Sequence, residues 1–400
     1  MKILVCPHDL GMGGSQLNAI ELAAAVQRRG HSVVVYGPDG ELRPFLADLS
    51  LRFIAAPDAR SDFSYRNFRR ISEVARELNV DVIHAYEWPP SIQAAFGPNL
   101  RWSTPTVMTV LSMSVPDFLP THLPIIVGTR ELAEQQAPRR DTVYLLEPPI
   151  DVEQNRPKNP ASARSSWGFS PDQTVLSVVC RLTGDLEKLE GVVHAISVVD
   201  DLASQRPVRL LIAGDGEGRT RVEAAAAAVN GRHGQDIVVV AGNLLDPRPA
   251  YDAADIVLGM GSSALKGMAF AKPLVVQGTG GYWKLLDERS ADTFLVQGWF
   301  GHGATEPDGL HVAVEYLLAD PGRAAELGAF GRDLVVRRFS LENAADVLLS
   351  IYDQAIDELP SSGTRWRSLG QSAFEVAKFR AVVGARRVMR PPAPAQVQPS

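Results

Sequence analysis

The segment of residues 255–281 constrains the fold of this chain more than any other part of the sequence. Apolar residues 256–258 predict a short strand, which leads into a Gly/Ser loop and a short helix that ends before Pro273. A second predicted strand, Leu274–Gln277, is followed at once by a glycine-rich turn at residues 278–281. Because the first turn of a helix presents unpaired N–H groups and the positive end of a dipole, such loops suit a phosphorylated ligand.

Apolar strand runs alternate with helical patterns in both halves of the chain. The predicted strands cover residues 2–6, 32–36, 80–84, 106–111 and 125–128 in the first half, and residues 174–179, 209–213, 237–241, 256–258 and 274–277 in the second. This alternation is typical of parallel sheets covered by helices on both faces. At 400 residues the chain is long enough for two domains. We therefore predict an α/β fold of two Rossmann-like domains whose parallel sheets face each other across a cleft.

Proline-rich and basic segments predict the divisions of the chain. Residues 156–160 predict a linker, so that residues 1–155 and 156–340 form the two domains. Helices are predicted over residues 341–390, and residues 391–400, rich in Pro, Ala and Gln, are predicted to be disordered. Residues 364–389 are basic with a helical apolar face, which indicates either a weak membrane-surface contact or a helix packed against the acidic body.

Composition excludes several classes of function. The net charge of −6 argues against nucleic acid as the main partner, because binding to the phosphate backbone needs a basic surface. We expect no signal peptide and no membrane span, since no apolar run approaches the roughly 20 residues that a spanning helix needs. Two cysteines, Cys6 and Cys180, are expected to be free thiols in a reducing compartment, the cytoplasm. The histidines lack metal-ligand spacing, so we predict no metal site and no cofactor.

The second half resembles the donor-nucleotide half of the retaining GT4 glycosyltransferases, which have the GT-B fold. The family pattern is a strand, a Gly/Ser loop, Glu-Ala-Met-Ala, Gly-Lys-Pro and a Gly-Gly turn; this chain has Lys266-Gly267-Met268-Ala269 at the third place. The resemblance covers residues 1–358. It implies a glycosyltransferase that moves a sugar from a nucleotide-sugar, held by the C-terminal domain, to a small-molecule acceptor, held by the N-terminal domain. It further implies retention of configuration, no metal, and last helices that cross back to the N-terminal domain.

Two cations follow the strand of residues 174–179. The resemblance implies that Arg181 and Lys188 stabilise the departing diphosphate. Elementary chemistry agrees, because fixed cations aimed at growing negative charge lower the barrier to breaking a glycosyl–phosphate bond. Lys188 lies among Asp185, Glu187 and Glu190, so a solvated charge cluster is the alternative.

Further donor-binding residues are implied by the same resemblance. The turn after the first strand is not a strict G-x-G-x-x-G dinucleotide pattern, and a tight turn without a ligand is its alternative interpretation. For Asp215 the alternative is ordinary turn chemistry. The predicted donor-binding residues are Gly13, Gly14, Gly214, Asp215, Asn243, Leu244, Ser262, Ser263 and Lys266.

Two departures from the family pattern concern the sugar site. Lys266 replaces an acid that holds hydroxyl groups of the sugar-nucleotide, and Leu111 replaces the active-site histidine. Three interpretations follow: a donor with extra negative charge, a transferase with a different sugar contact, or a binding protein without turnover. Lys266 pointing into solvent is the structural alternative.

Polar and aromatic residues after the strand of residues 80–84 are candidates for acceptor binding, because α/β proteins place ligand groups at the carboxyl ends of strands. Glu87 is a candidate general base. His84, Trp88 and Ser112 are candidate acceptor contacts. Packing of His84 and Trp88 at the domain edge is the alternative.

Two rival functions stay open from the sequence. One is a nicotinamide-dependent oxidoreductase, in which Asp39 binds a ribose. The other is a degenerate GT4 homologue that binds a nucleotide or sugar without catalysis.

Overall fold

A computed structural model describes residues 1–57, 64–302 and 309–388, with side chains up to residue 381. The chain divides into two compact units. The first unit contains Met1–Val127, Leu132–Leu145 and the described residues from Val347 onward, and the second contains Gly128–Glu131 and Leu146–Asp346. The prediction of disorder for residues 391–400 lies outside the described residues.

The strands and helices alternate along most of the chain. The strands are β1 (Lys2–Cys6), β2 (Ser32–Gly37), β3 (Arg52–Ala55), β4 (Val82–Tyr86), β5 (Thr106–Val110), β6 (Ile125–Val127), β7 (Val143–Leu145), β8 (Thr174–Val179), β9 (Val208–Ala213), β10 (Val238–Gly242), β11 (Ile256–Gly259), β12 (Leu274–Gln277) and β13 (Trp283–Leu285). The helices are α1 (Gly14–Arg28), α2 (Arg43–Asp48), α3 (Tyr65–Leu78), α4 (Trp88–Ala94), α5 (Leu100–Trp102), α6 (Arg130–Gln136), α7 (Pro160–Ser166), α8 (Lys188–Ala203), α9 (Arg219–His233), α10 (Arg248–Ala253), α11 (Ser262–Ala269), α12 (Ala291–Gln297), α13 (Gly309–Ala319), α14 (Pro321–Arg338), α15 (Leu341–Asp357) and α16 (Ser362–Val388). Short 3₁₀ turns at Ala137–Arg139 and Asp185–Glu187 and a π-helical turn at Ala95–Asn99 are also present.

The sheet of the first unit is parallel throughout its described strands. Its order is β3-β2-β1-β4-β5-β6-β7. The strand order reverses between β1 and β4, which makes this pair the topological switch point, where a crevice opens at the carboxyl ends. Every residue of β4, β5 and β6 is buried, as expected for central strands covered by helices on both faces.

The sheet of the second unit has the order β10-β9-β8-β11-β12-β13. Its described strands pair in parallel except β13, which pairs antiparallel with β12. The switch point lies between β8 and β11. The two Rossmann-like sheets confirm the predicted fold class, while the short edge strands β3, β7 and β13 went unpredicted.

The predicted linker, residues 156–160, lies inside the second unit. Residues 146–155 belong to the second unit, because the backbone of Ile150 donates to Phe339 O (2.6 Å) and accepts from Leu341 N (3.0 Å). The Asp252 carboxylate binds the backbone of the proposed linker itself, accepting from Asn159 N at 2.8 Å. The chain passes between the units at residues 127–128, 131–132, 145–146 and 346–347 instead. Prolines at residues 157 and 160 therefore mark the start of α7 rather than a free connection.

Two buried histidines attach the last helices to the first sheet. His84 Nδ1 lies 2.7 Å from Tyr352 Oη on α15, and His84 Nε2 lies 2.6 Å from Thr109 Oγ1 on β5. His122 Nδ1 lies 2.9 Å from Ser368 Oγ on α16. No helix in the described part of the chain combines the length and apolar character that a bilayer span requires.

We expect the free energy of unfolding to fall between pH 7 and pH 5 because of these two histidines. Burial lowers the pKa of His84 to about 3, and burial together with the nearby Arg365 and Arg140 lowers the pKa of His122 to about 4. In the unfolded chain both titrate near 6.5, so below that pH the unfolded state binds protons that the native state refuses. Each histidine then costs about 2 kcal/mol at pH 5 relative to pH 7.

Urea unfolding of wild type, His84→Asn and His122→Asn at the two pH values measures this effect. Each variant should lose its own share of the pH dependence, whatever its stability at pH 7. An unchanged pH dependence in both variants would contradict the assignment.

Candidate functional site

The switch point of the first unit is shaped by the glycine-rich turn before α1. Gly13 precedes α1 in an extended conformation, and no side chain caps this helix start. Gln16 Nε2 donates to Asp9 Oδ1 at 2.7 Å and fills the space in which a Cβ on Gly13 would stand, 2.3 Å from Gln16 Oε1. Gly14 is exposed. An uncapped helix start suits an anionic group, and the donor-binding role of Gly13 and Gly14 stays a prediction.

Glu87 joins the two sides of this switch point. One carboxylate oxygen accepts hydrogen bonds from Ser15 Oγ (3.2 Å) on α1 and from Leu111 N (3.0 Å), and the other accepts from Ser112 Oγ (2.8 Å) after β5. Its backbone has φ 62° and ψ −174°, a region nearly restricted to glycine that costs about 1–3 kcal/mol. Backbone strain of this kind is retained where the surrounding structure imposes it.

The contacts of Glu87 bear on its predicted role as a general base. A general base needs a free carboxylate oxygen near the proton that it takes. Glu87 is buried, and both of its oxygens accept hydrogen bonds from protein groups. In this structure the Glu87 carboxylate holds α1 and Ser112 in place, and its role as a general base stays a prediction.

His84 and Trp88 occupy the core rather than the surface of the first unit. The His84 side chain is 1% exposed and both ring nitrogens have partners, so the prediction that it contacts an acceptor is not supported. Trp88 is half-buried and packs edge-on against Phe118 (5.6 Å between centroids) and Phe379 (6.3 Å). Through the contact with Phe379, its indole packs against α16. Ser112 is the exposed one of the three candidate acceptor contacts.

Arg181 and Lys188 come together at the switch point of the second unit. Both approach the same carboxylate: Arg181 Nη2 lies 3.5 Å from Asp185 Oδ2, and Lys188 Nζ makes a closer ion pair with that oxygen. Burial raises the pKa of Asp185, but hydrogen bonds from Lys188 and Thr183 outweigh burial and leave that pKa below its usual value. Two cations against one carboxylate leave one positive charge for a ligand.

A strained turn places Lys188 at the first position of α8. Leu186 and Glu187 both have left-handed backbone angles, with φ 54° and φ 55°. The turn is tied to the glycine-rich turn after β12, because Gly280 N donates to Glu187 Oε2 (2.8 Å) and Gln277 Nε2 donates to Glu187 O (3.0 Å). No local pattern predicts this turn, since neither Leu186 nor Glu187 is glycine. Asp185 follows Arg181 by four residues and precedes Lys188 by three, and this spacing indicates that it can pair with both cations.

Gly214 and Asp215 form the turn after β9. A Cβ on Gly214 would lie 1.8 Å from Cys180 O, and φ is 155°, so only glycine fits this close approach between β8 and β9. Asp215 accepts from Gly216 N (2.8 Å) and from Arg219 (2.8 Å), and these bonds lower its pKa. Asp215 thus shows the turn chemistry that was the alternative to ligand binding.

The next loop of the same edge follows β10. Asn243 is exposed there, and Leu244 is partly buried against the apolar cluster around Phe169. Asn243 therefore has a free side chain at this edge, whereas Leu244 is anchored in the protein.

The start of α11 contains one serine that is bonded within the protein. Ser263 Oγ donates to Val179 O (2.7 Å) and lies 3.0 Å from Tyr251 Oη, so it links α11 to the end of β8. Ser262 begins the helix after Gly261, and no side chain caps it. Lys266 is half-exposed one turn further on and has no ion pair or hydrogen bond within the described residues. No group of three or more His, Cys, Asp or Glu side chains suited to a metal occurs among the described residues.

The chain matches two family models in tandem. Residues 12–143 match the model described as Glycosyltransferase Family 4, and residues 173–320 match the model described as Glycosyl transferases group 1. Together the two matches cover more than half of the chain. They give no support to the oxidoreductase alternative, and Asp39, its candidate ribose ligand, forms an ion pair with Arg43.

Similar proteins of known name or structure agree with these matches. A D-inositol 3-phosphate glycosyltransferase of Xylanimonas cellulosilytica is 26% identical over 87% of this chain and 93% of its own length. A glycosyltransferase structure from Rickettsia africae superposes with a TM-score of 0.72, at 16% identity, over 89% of this chain and 99% of its own. The Anabaena protein HepE in complex with UDP-glucose gives a TM-score of 0.69 at 16% identity, over 88% of this chain and 100% of its own.

Proposed function

The chain belongs to the group 1 glycosyltransferases of the GT4 type, and from that premise we propose that it transfers a sugar residue from a nucleoside diphosphate sugar to a small-molecule acceptor. The UDP-glucose complex of HepE supports a nucleoside diphosphate sugar as donor. The name of the Xylanimonas relative supports a small polar acceptor. Retention of configuration, and activity without a metal or another cofactor, are part of the proposal and rest on the family resemblance.

The observation that carries the proposal is the cation pair at the carboxyl end of β8. Arg181 presents a planar fork of N–H donors and is largely exposed, whereas the Lys188 side chain is only 13% exposed and fixed at the start of α8. In the free protein Asp185 partly neutralises both. A diphosphate brings more negative charge than this single carboxylate, so it competes with Asp185 for the two cations.

The chemistry requires this kind of charge. The bond between the sugar C1 and the diphosphate oxygen breaks, the diphosphate gains negative charge, and the acceptor oxygen forms the new bond to C1. Fixed cations stabilise that developing charge more than they stabilise the ground state. With retention, the acceptor attacks from the face that the diphosphate leaves, so an oxygen of the departing diphosphate can take the acceptor proton. Glu87 is then not needed as a base, in agreement with its hydrogen bonds.

Lys266 extends the positive region along α11. It stands where the family has an acid, and within the described residues no carboxylate neutralises it. A cation in this position favours an acidic group on the donor and does not favour the hydroxyl contacts that an acid would make. We therefore propose a donor with negative charge beyond the leaving diphosphate, or a sugar held by contacts that differ from the family's.

Ligand binding and turnover test the proposed function directly. Thermal unfolding with UDP, GDP, ADP and dTDP and their sugar conjugates should show a shift of a few degrees for one base, since a ligand at 100 times its Kd adds about 2.7 kcal/mol. Transfer or donor hydrolysis should then be measured with that donor. Binding without any turnover would favour the degenerate homologue, and silence across the panel would contradict the proposal.

Arg181→Ala should lower kcat by about 10²-fold or more, because it removes a donor that stabilises charge developing in the transition state. Arg221→Ala is the matched control, since Arg221 is an exposed arginine of the same unit paired with Glu190. Steady-state kinetics with the donor found in the binding panel measures both. Near-wild-type turnover of Arg181→Ala would overturn the catalytic assignment.

Lys266→Ala should raise the KM for the donor roughly tenfold, the effect of losing one hydrogen bond to a charged group, with a smaller change in kcat. Lys284→Ala serves as control, because Lys284 is an exposed lysine of β13 in the same unit. An unchanged donor KM in Lys266→Ala would mean that this side chain points into solvent and takes no part in donor binding.

We also propose a weak contact of α16 with an anionic membrane surface. Leu369 packs in the core, while Trp366 and Phe374 are 61% and 63% exposed beside the exposed cations Arg367 and Lys378. Aromatic and cationic side chains on one helix face are typical of interfacial helices. A cytoplasmic location is the matching expectation from the two free cysteines.

Replacing both aromatic residues, Trp366→Ser with Phe374→Ser, should weaken binding to vesicles with anionic lipid roughly tenfold. Cosedimentation measures this, with purely zwitterionic vesicles for comparison. Leu245→Ser removes another exposed apolar side chain (83% exposed) and should have no effect. Equal sedimentation of the wild type and the double variant would refute the contact.

A further inference from the structure

An open pocket of about 360 Å³ lies at the carboxyl end of β3, beside the first two turns of α3. Three of its lining side chains are guanidinium groups and only one is a carboxylate. The lining residues are Ala55, Pro57, Arg66, Arg69, Arg70 and Glu73. None of them belongs to the site described above.

The ion pairs within this pocket leave an excess of positive charge. Arg69 Nε lies 2.6 Å from Glu73 Oε1, and Arg70 Nη1 lies 3.5 Å from Glu73 Oε2 and 3.4 Å from Glu77 Oε1. Hydrogen bonding from Arg69 lowers the pKa of Glu73 despite a small opposing effect of desolvation, so this carboxylate is charged at neutral pH. Arg66 has no ion pair in the described part of the chain. Among the described residues, the pocket therefore offers guanidinium donors that carboxylates do not fully satisfy.

Two buried polar atoms, one on β2 and one on α3, also lack partners within the described residues. The Tyr36 hydroxyl and the Asn67 amide oxygen make no hydrogen bond within the described residues, although Tyr36 is 2% exposed and Asn67 is 7% exposed. Burial raises the pKa of Tyr36, and the charges of Arg70 and Glu73 act on the same hydroxyl, which places it close to both. An unsatisfied buried polar group costs about 1–3 kcal/mol and calls for an explanation.

The position of the pocket in the sheet relates it to the switch point of the first unit. All strands of this sheet are parallel, so β3 and β1 end at the same edge. Only β2 separates them, which puts their ends roughly 10 Å apart. A molecule bound at the glycine-rich turn after β1 can therefore reach the arginine pocket with a group that lies roughly 10 Å from its reacting end.

We propose that the pocket formed by Arg66, Arg69 and Arg70 binds a phosphate group carried by the acceptor. Guanidinium groups match the geometry of phosphate oxygens through paired N–H donors, and a dianion would draw Arg69 and Arg70 away from Glu73. The identification of the ligand as acceptor rests on the proposed function, whereas the anion site itself does not.

Inorganic phosphate is the probe for the anion site. Thermal unfolding of the full chain is followed while phosphate replaces chloride at constant ionic strength. The double variant Arg66→Gln with Arg69→Gln should raise the apparent Kd for phosphate roughly tenfold or more. Arg76→Gln removes an arginine from the last turn of the same helix, where it lies over the Trp102 ring, and should leave the Kd unchanged. The diphosphate site can also take phosphate, so the loss in the double variant should persist in an Arg181→Ala background, which separates this pocket from that site.

A variant that keeps the charge of Arg66 separates the loss of a phosphate contact from a loss of folding. Arg66→Lys keeps the cation but loses the planar fork, and it should recover part of the phosphate affinity lost in Arg66→Gln. Equal phosphate responses in wild type and in the double variant would overturn the site, even if the protein proves to be a glycosyltransferase.

Kinetics with acceptor pairs that differ only in a phosphate group tests the second half of the inference. The double variant should raise the KM for the phosphorylated acceptor roughly tenfold and leave the donor KM and the KM for the unphosphorylated acceptor unchanged. Loss of phosphate binding without any change in acceptor KM would mean that the site takes free phosphate, and it would overturn the acceptor assignment.

Discussion

Parallel strand pairing decides where chemistry can occur in this protein. In each sheet the central strands are buried on both faces, so no polar side chain along their length can meet a ligand. Every parallel strand must also end at the same edge. The loops after β8, β9, β10 and β11 therefore lie side by side, and the cations after β8 become neighbours of the uncapped start of α11. Backbone hydrogen bonds between the strands, which do not depend on side-chain identity, therefore bring these chemical groups together.

Polar residues at these edges divide into two kinds. Glu87, Ser263 and His84 have their polar atoms bound to other protein groups, and they join elements that are far apart in the sequence. Arg181 and Lys266 keep charge that the protein does not fully neutralise. Only the second kind is available to a ligand without loss of structure. The division agrees with the anionic, phosphate-bearing donor of the proposed function.

Asp185 balances the positive charge at the carboxyl end of β8. A carboxylate that pairs with both Arg181 and Lys188 keeps two cations close together in the free protein, where they would otherwise repel each other. Under the proposed function, the same carboxylate must give up these cations when the diphosphate of the donor binds. The strained turn at Leu186 and Glu187 holds this arrangement, and its link to Gly280 connects it to the turn after β12. Part of the binding energy of the diphosphate is thus opposed by an internal ion pair.

Local patterns in the sequence are enough to predict the two Rossmann-like sheets, most of their strands, the glycosyltransferase family and the residue types at each strand end. Apolar periodicity and glycine placement are local properties, and they are visible without knowing what packs where. Which polar groups remain free to bind a ligand depends on long-range packing, because their protein partners are distant in the chain. Ser15 and Glu87 are 72 residues apart, and His84 and Tyr352 are 268 residues apart. The linker was misplaced for the same reason, since the bridge from Ile150 to Ser340 is invisible to local pattern. Local sequence sets the period and burial of an element, and long-range packing alone determines whether a side chain at its end binds the protein or a ligand.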